Sequence, residues 1–128
     1  MIVVDSSVLI AWTRDEVTAK TAILERTHGG DVILGDLVFA EMVQGAPHGR
    51  GLQRLLGLLD HFRPALMTER STALLAADIR HRLRLVGHTP RGTIELLIGA
   101  WCIEAGLPLL ADDRDFVAMA QHCGLRLA

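Results

Sequence analysis

The chain contains no tyrosine, and only two tryptophans and three phenylalanines stand among its 128 residues. Sequence-specific reading of splayed nucleobases, which depends on stacking side chains, therefore has little to work with. Lysine is nearly missing too. Lys20 is the single one, and every other cation is an arginine, the residue suited to paired contacts with phosphate and carboxylate. The two cysteines, Cys102 and Cys123, lack the spacing of a metal knuckle, and Cys102 in its apolar setting reads as a buried, reduced thiol. There is no HExxH pair, no glycine-rich phosphate loop and no serine elbow, which sets aside zinc proteases, nucleotide-cradling loops and serine hydrolases. No apolar run approaches a membrane span and no basic-then-apolar leader opens the chain, so a soluble, cytoplasmic protein with no membrane contact is expected. The net charge of −2 excludes a surface that is basic all round.

What is present is a chain that is 50% hydrophobic, enough for one sizeable core in a single domain spanning residues 1–128. Strands and helices alternate along it. "IVV" reads as a strand ending at Asp5, with Asp5 or Ser6 capping a helix to Arg14. A helix over Thr18–His28 stops at Gly29-Gly30, and "DVILG" is a second strand. Asp36 caps a helix through "LVFAEMVQ", and Leu52, Leu55, Leu56 and Leu59 recur at helical spacing. "RPALM" is a weaker strand, and Ser71 to Val86 a long helix. Gly92 or Thr93 caps a helix through "IELLIGAWCIEAG". "LPLLA" is a strand, Phe116 to His122 a short helix, and "LRLA" a last strand. Short strands that are apolar on both faces, alternating with helices, imply an α/β fold with a mostly parallel sheet between helical layers. In such folds function collects beyond the carboxyl ends of the strands.

Acids fall at that edge. Asp5 ends the first strand, and three aspartates crowd the run "LLADDRDF", Asp112, Asp113 and Asp115. Glu41 sits on a largely apolar helix face, and Glu95 in the first turn of an apolar helix. Each has a structural explanation of its own: a helix cap for Asp5 and Asp113, an ion pair for Glu41, a helix-dipole contact for Glu95. Together they are harder to explain that way, because carboxylates converging without a cation raise one another's pKa and oppose folding. An oxygen-only donor set suits Mg²⁺ or Mn²⁺, ions that activate water and stabilise phosphoryl oxygens.

The segments "VVDSSVLI", "GDLVFAEMVQG", "TIELLIGAWCI" and "LLADDRDF", in this order and spacing, resemble the PIN domain, and within it the VapC toxins of bacterial type II toxin–antitoxin systems. The resemblance covers essentially the whole chain. It implies a three-layer α/β/α sandwich around a mostly parallel sheet, usually dimeric. It also implies a Mg²⁺- or Mn²⁺-dependent endoribonuclease acting on tRNA or ribosomal RNA, restrained by a VapB-like antitoxin. By the match, Asp5, Glu41, Glu95 and Asp113 are the catalytic acids and metal ligands, Asp115 is a further metal ligand that assists Asp113, and Ser7 supports Asp5. Asp112 falls at a variable position and is expected in solvent. Two positions depart from the family pattern: Glu95 stands where Asp is usual, and Ala111 where a hydroxyl or histidine is common.

Arg80, Arg84 and Arg91 are the candidate RNA contacts. They lie in "IRHRLRLVGHTPR" with Arg82, His81 and His88; Arg80 and Arg84 share a helix face, and Arg91 is nearest to Glu95 in sequence. The other explanation of this stretch is a solvated helix with an Asp78–Arg82 pair. The leucines of 52–59 serve either the core or a surface for a second copy or the antitoxin. A competing function is a PIN-like module, impaired by Glu95, that holds RNA or protein without cutting. A phosphatase or phospho-acceptor using Asp5 fits less well, since Ser7 stands where a second aspartate is wanted and no lysine follows Lys20.

Overall fold

The computed structural model describes residues 1–128. Its elements are β1 (Ile2–Val4), α1 (Ser6–Thr13), α2 (Ala19–Arg26), a 3₁₀ turn (Gly29–Asp31), β2 (Val32–Gly35), α3 (Asp36–Gln44), α4 (Arg50–Leu59), β3 (Arg63–Ala65), α5 (Arg70–Leu85), α6 (Thr93–Ala105), β4 (Leu109–Leu110) and α7 (Arg114–His122). The four strands form one sheet in the order β3-β2-β1-β4, with every pairing parallel. Helices must then carry the chain back between strands. This is the expected α/β architecture. No helix is long and apolar enough to cross a membrane.

Short apolar strands make the centre of the core. Val3, Val4, Val32, Leu109 and Leu110 are wholly buried, and Leu9, Val38, Ile79, Leu83, Ile98 and Phe116 close over them from the helices. α5 and α6 are tied by Thr72, a buried hydroxyl that donates to Glu104 at 2.6 Å. α6 and α7 approach closely because residue 99 is glycine: a Cβ there would lie 2.3 Å from the Met119 sulfur. That spacing fixes where Glu95, at the head of α6, sits relative to Asp113, at the head of α7.

Several boundaries differ from the sequence expectation, each for a local reason. α2 is shorter, Ala19–Arg26: Thr18 and Thr21 form a reciprocal cap at its start, and at its end the Thr27 hydroxyl donates to the Ile23 carbonyl. Asp36 is not the cap of α3. Gly35 holds that position without a side-chain bond, and Asp36 Oδ1 accepts instead from the N–H groups of Leu37 and Met67, both at 3.0 Å. α7 begins earlier than expected, at Arg114, since Asp113 caps it. The expected final strand "LRLA" contributes one parallel bridge, Leu127 to Leu109. β4 is only two residues long and offers little more to pair with. The bridge is held by Leu109 N–H to Arg126 O at 2.9 Å and Ala128 N–H to Leu109 O at 2.8 Å.

Candidate active site

Two aspartates meet at the carboxyl edge of the sheet because their strands are neighbours. β1 and β4 pair with Val4 opposite Leu110, and the Asp5 N–H continues the ladder to the Leu110 carbonyl at 3.0 Å. Each chain then turns directly into a helix that its own aspartate caps. Asp5 accepts from Ser7 N–H at 3.1 Å, and Asp113 from Asp115 N–H at 2.8 Å. Both roles foreseen for Asp5, cap and site acid, are thus geometrically compatible.

Ser7 does more than sit nearby. Its hydroxyl donates to Asp5 Oδ2 at 2.6 Å and accepts from the Asp112 N–H at 3.0 Å. One hydroxyl therefore orients the first acid and clips the start of the "DDRD" run to α1. Asp112 contributes that backbone group while the residue itself lies in solvent, as expected. Ala111 is buried against the core.

Glu41 and Glu95 are half-buried. Glu41 Oε1 accepts one long bond, 3.4 Å, from the Ser6 hydroxyl across the α1–α3 contact. The Glu95 carboxylate folds back over Gly92, where a Cβ would come within 3.2 Å of Oε2. The electrostatics link the acids to one another. Burial pushes the Asp5 carboxyl above its usual range; the Ser7 bonds oppose this and the nearby Asp113 charge adds to it. Glu41 is also raised, by burial first and then by the charges of Asp5 and Glu95. Charge links thus run from Asp113 to Asp5 and from Asp5 and Glu95 to Glu41.

The fourth acid already has a cation on it. Arg91 Nη2 lies 2.7 Å from Asp113 Oδ2, and the Asp113 contact holds the guanidinium pKa above its ordinary value. Asp115 is buried, and both its oxygens are engaged: Oδ1 with His88 Nε2 at 2.8 Å, which donates toward this carboxylate, and Oδ2 with the Arg91 backbone N–H at 3.0 Å. The loop between α5 and α6 is strapped to α7 by this one side chain. Arg80 and Arg84 are exposed on α5 and form no ion pair, whereas Arg82 pairs with Asp78 at 3.1 Å. A cavity of about 330 Å³ lies beside Glu41, with Arg14, Ile10 and Leu55 in its wall.

Sequence reasoning missed the strap. His88 and Asp115 are 27 residues apart, and no periodicity relates a loop to the first turn of a later helix. It also missed Ser6 as the partner of Glu41. The only available signal was that Ser6 and Ser7 both follow Asp5, so hydroxyls would emerge at that edge on more than one side.

A divalent ion fits this donor set in chemistry, since the acids are all hard oxygen ligands and two of them, Asp5 and Glu41, are held above their normal pKa by burial first and then by neighbouring acids. It does not fit the side chains as they stand. No group of three or more Asp, Glu, His or Cys side chains is drawn together closely enough to hold one ion, so the acids would have to close in to do so. Burial pushes the Cys102 thiol up to about 12, which keeps it protonated.

A parallel α/β fold with four electrostatically linked acids at the carboxyl edge of its sheet defines the class. The PIN domain model matches residues 2–121, and the chain belongs to that family. Solved structures agree on the fold. FitAcB from Neisseria gonorrhoeae is 21% identical with a TM-score of 0.77, over 99% of this chain and 96% of that one. VapBC2 from Rickettsia felis, bound to a DNA fragment from its promoter, is 16% identical with a TM-score of 0.77, over 100% and 98%. VapC20 from Mycobacterium tuberculosis, a toxin that cleaves the sarcin–ricin loop, is 18% identical with a TM-score of 0.63, over 98% and 99%.

Proposed function

We propose that the chain is the toxin of a type II toxin–antitoxin pair, an endoribonuclease that uses Mg²⁺ or Mn²⁺ held by Asp5, Glu41, Glu95 and Asp113. The observation that carries this reading is the set of charge links among the four acids at the sheet edge, with Asp5 and Glu41 both raised. A bound divalent ion would supply an activated water and charge stabilisation at the scissile phosphate. The chain's own residues do the rest. Ser7 holds Asp5 in one rotamer, and Ser6 leans on Glu41. Asp115 acts as a support: it fixes the loop from which Arg91 reaches Asp113. Arg80 and Arg84, unpaired and exposed, are assigned to flanking phosphates, with Arg91 closest to the cut. With so few aromatics the RNA is held by backbone and shape. A VapB-like antitoxin and a second copy of the chain are the proposed partners, in keeping with the toxin–antitoxin complexes among the structural neighbours, and the cytoplasm is the proposed location.

Cleavage of labelled RNA by the purified protein in Mn²⁺, compared with Asp5→Asn, tests this. Loss of cutting with Asp5→Asn, with 5′-phosphate ends from the wild type, is expected; equal cutting by both refutes the assignment. One observation favours a second reading, a binding module: the acids do not close on a single point and Arg91 occupies Asp113. Retained RNA binding with no cleavage by either protein would select the module.

A further inference from the structure

Arg91 is the cation in contact with the acid group, and the structure divides it into a fixed part and an exposed part. The fixed part is its backbone, whose N–H is bound by buried Asp115. His88 clamps the same carboxylate, and Gly87, at φ +82°, turns the chain off α5 into this strap. The exposed part is the side chain, which is 71% exposed and lies 2.7 Å from Asp113 Oδ2 and 4.0 Å from Asp115 Oδ2. The other Asp113 oxygen caps α7. Oδ2 is therefore the Asp113 oxygen that no backbone group holds, and Arg91 sits on it. A guanidinium and a divalent ion compete for that oxygen, because both are positive and each repels the other at so short a distance.

We infer that Arg91 is a tethered counter-ion that leaves Asp113 when a divalent ion binds and then takes up a phosphate of the RNA. This rests on the nuclease reading of the acids. The pinned backbone keeps the released guanidinium within one side-chain length of the site, and its planar fork of donors matches a phosphate. The coupling is reciprocal: metal at Asp113 strengthens RNA binding, and RNA that engages Arg91 strengthens metal binding. Before the ion arrives, Arg91 limits the repulsion among the acids, allowing the site to fold with no metal.

Arg114 provides the control. It is adjacent to Asp113 in sequence, exposed, and forms no ion pair. The experiment measures Mn²⁺ affinity of the full chain, without RNA, for the wild type, Arg91→Met and Arg114→Met. A parallel Mg²⁺ titration of the wild type follows the Arg91 Nε–H signal by NMR. Binding at least about fivefold tighter is expected for Arg91→Met, against a change within about twofold for Arg114→Met, the scale of an exposed charge. The Arg91 signal should move with the same midpoint as Mg²⁺ binding. In Ca²⁺, added to hold the site, wild-type affinity for a labelled RNA should rise, and Arg91→Met should lose that rise. Equal Mn²⁺ affinity for the two variants, or an Arg91 signal that stays still as Mg²⁺ saturates, overturns the inference. A wild type that shows the Arg91 effects yet cuts no RNA refutes the nuclease reading while supporting the counter-ion.

Discussion

Ser7→Ala isolates the most tightly built contact of the site. The substitution deletes two hydrogen bonds, from the hydroxyl to Asp5 at 2.6 Å and from the Asp112 N–H at 3.0 Å, and leaves the Ser7 N–H bond to Asp5 in place. A bond to a charged acceptor is worth about 1.5–3 kcal/mol and a neutral one about 0.5–1.5 kcal/mol. The Asp112 N–H recovers part of its loss from water, since that residue is exposed. Asp5, only 5% exposed, cannot. The net cost is about 2–3 kcal/mol at neutral pH, a fall in Tm of roughly 6 to 15 °C for a chain of this size. The pH dependence is the sharper part. Ser7 favours the ionised form of Asp5, so its removal lifts an already raised pKa further in the folded state and leaves the unfolded state unchanged. The mutant native state then binds its proton more tightly than the wild type does, and its stability falls more steeply as pH rises through the carboxyl range. Urea denaturation at a series of pH values should show a penalty that is largest at neutral pH and shrinks as Asp5 protonates. A penalty that is flat with pH, or below about 0.5 kcal/mol throughout, would refute the assignment of Ser7 as the carboxylate's main donor.

Asp5→Asn should stabilise the apo protein near neutral pH. With a folded pKa above the reference 3.8, ionisation of Asp5 costs stability as pH rises through that window, and the amide removes the cost while still accepting from Ser7; denaturation midpoints check this, and a less stable Asn variant would contradict it. Glu95→Gln should lower Mn²⁺-dependent cleavage by about 100-fold or more with little change in Tm, read by single-turnover kinetics; unchanged cleavage would remove Glu95 from the acid set. Gly35→Ala should destabilise by about 1–3 kcal/mol. The backbone there is ordinary, but a Cβ would meet the wholly buried Met67 side chain at 2.3 Å from Sδ and 2.4 Å from Cε; a neutral result by thermal melting would show that Met67 can move aside.

The strand–helix order was legible because the chain's punctuation is strong. Asp5 directly follows one apolar run and Asp113 comes two residues after another, and each caps the helix that follows, so the same two residues mark the topology and place acids at one sheet edge. Glu41 and Glu95 stand out by a different signal, a carboxylate on an apolar face and one at the head of an apolar helix. What could not be read were bonds between segments distant in sequence. Asp36 reads as a cap because it stands at a helix start, yet its carboxylate accepts from the Met67 N–H, 31 residues away. "LRLA" has the composition of a strand, but the number of bonds it can make is set by the length of β4, which lies elsewhere in the chain. The arginine on Asp113 was legible only as sequence proximity to Glu95; its partner was settled by the strap through His88 and Asp115, which folding alone brings together.

The most direct measurement is end-mapping of total RNA from cells that express the wild type or Asp5→Asn at equal levels. If the acid edge cuts RNA with the help of a divalent ion, discrete new ends with 5′-phosphate and 3′-hydroxyl termini will accumulate with the wild type and be absent with Asp5→Asn. Identical ends in both, or new ends carrying 2′,3′-cyclic phosphates, would contradict it.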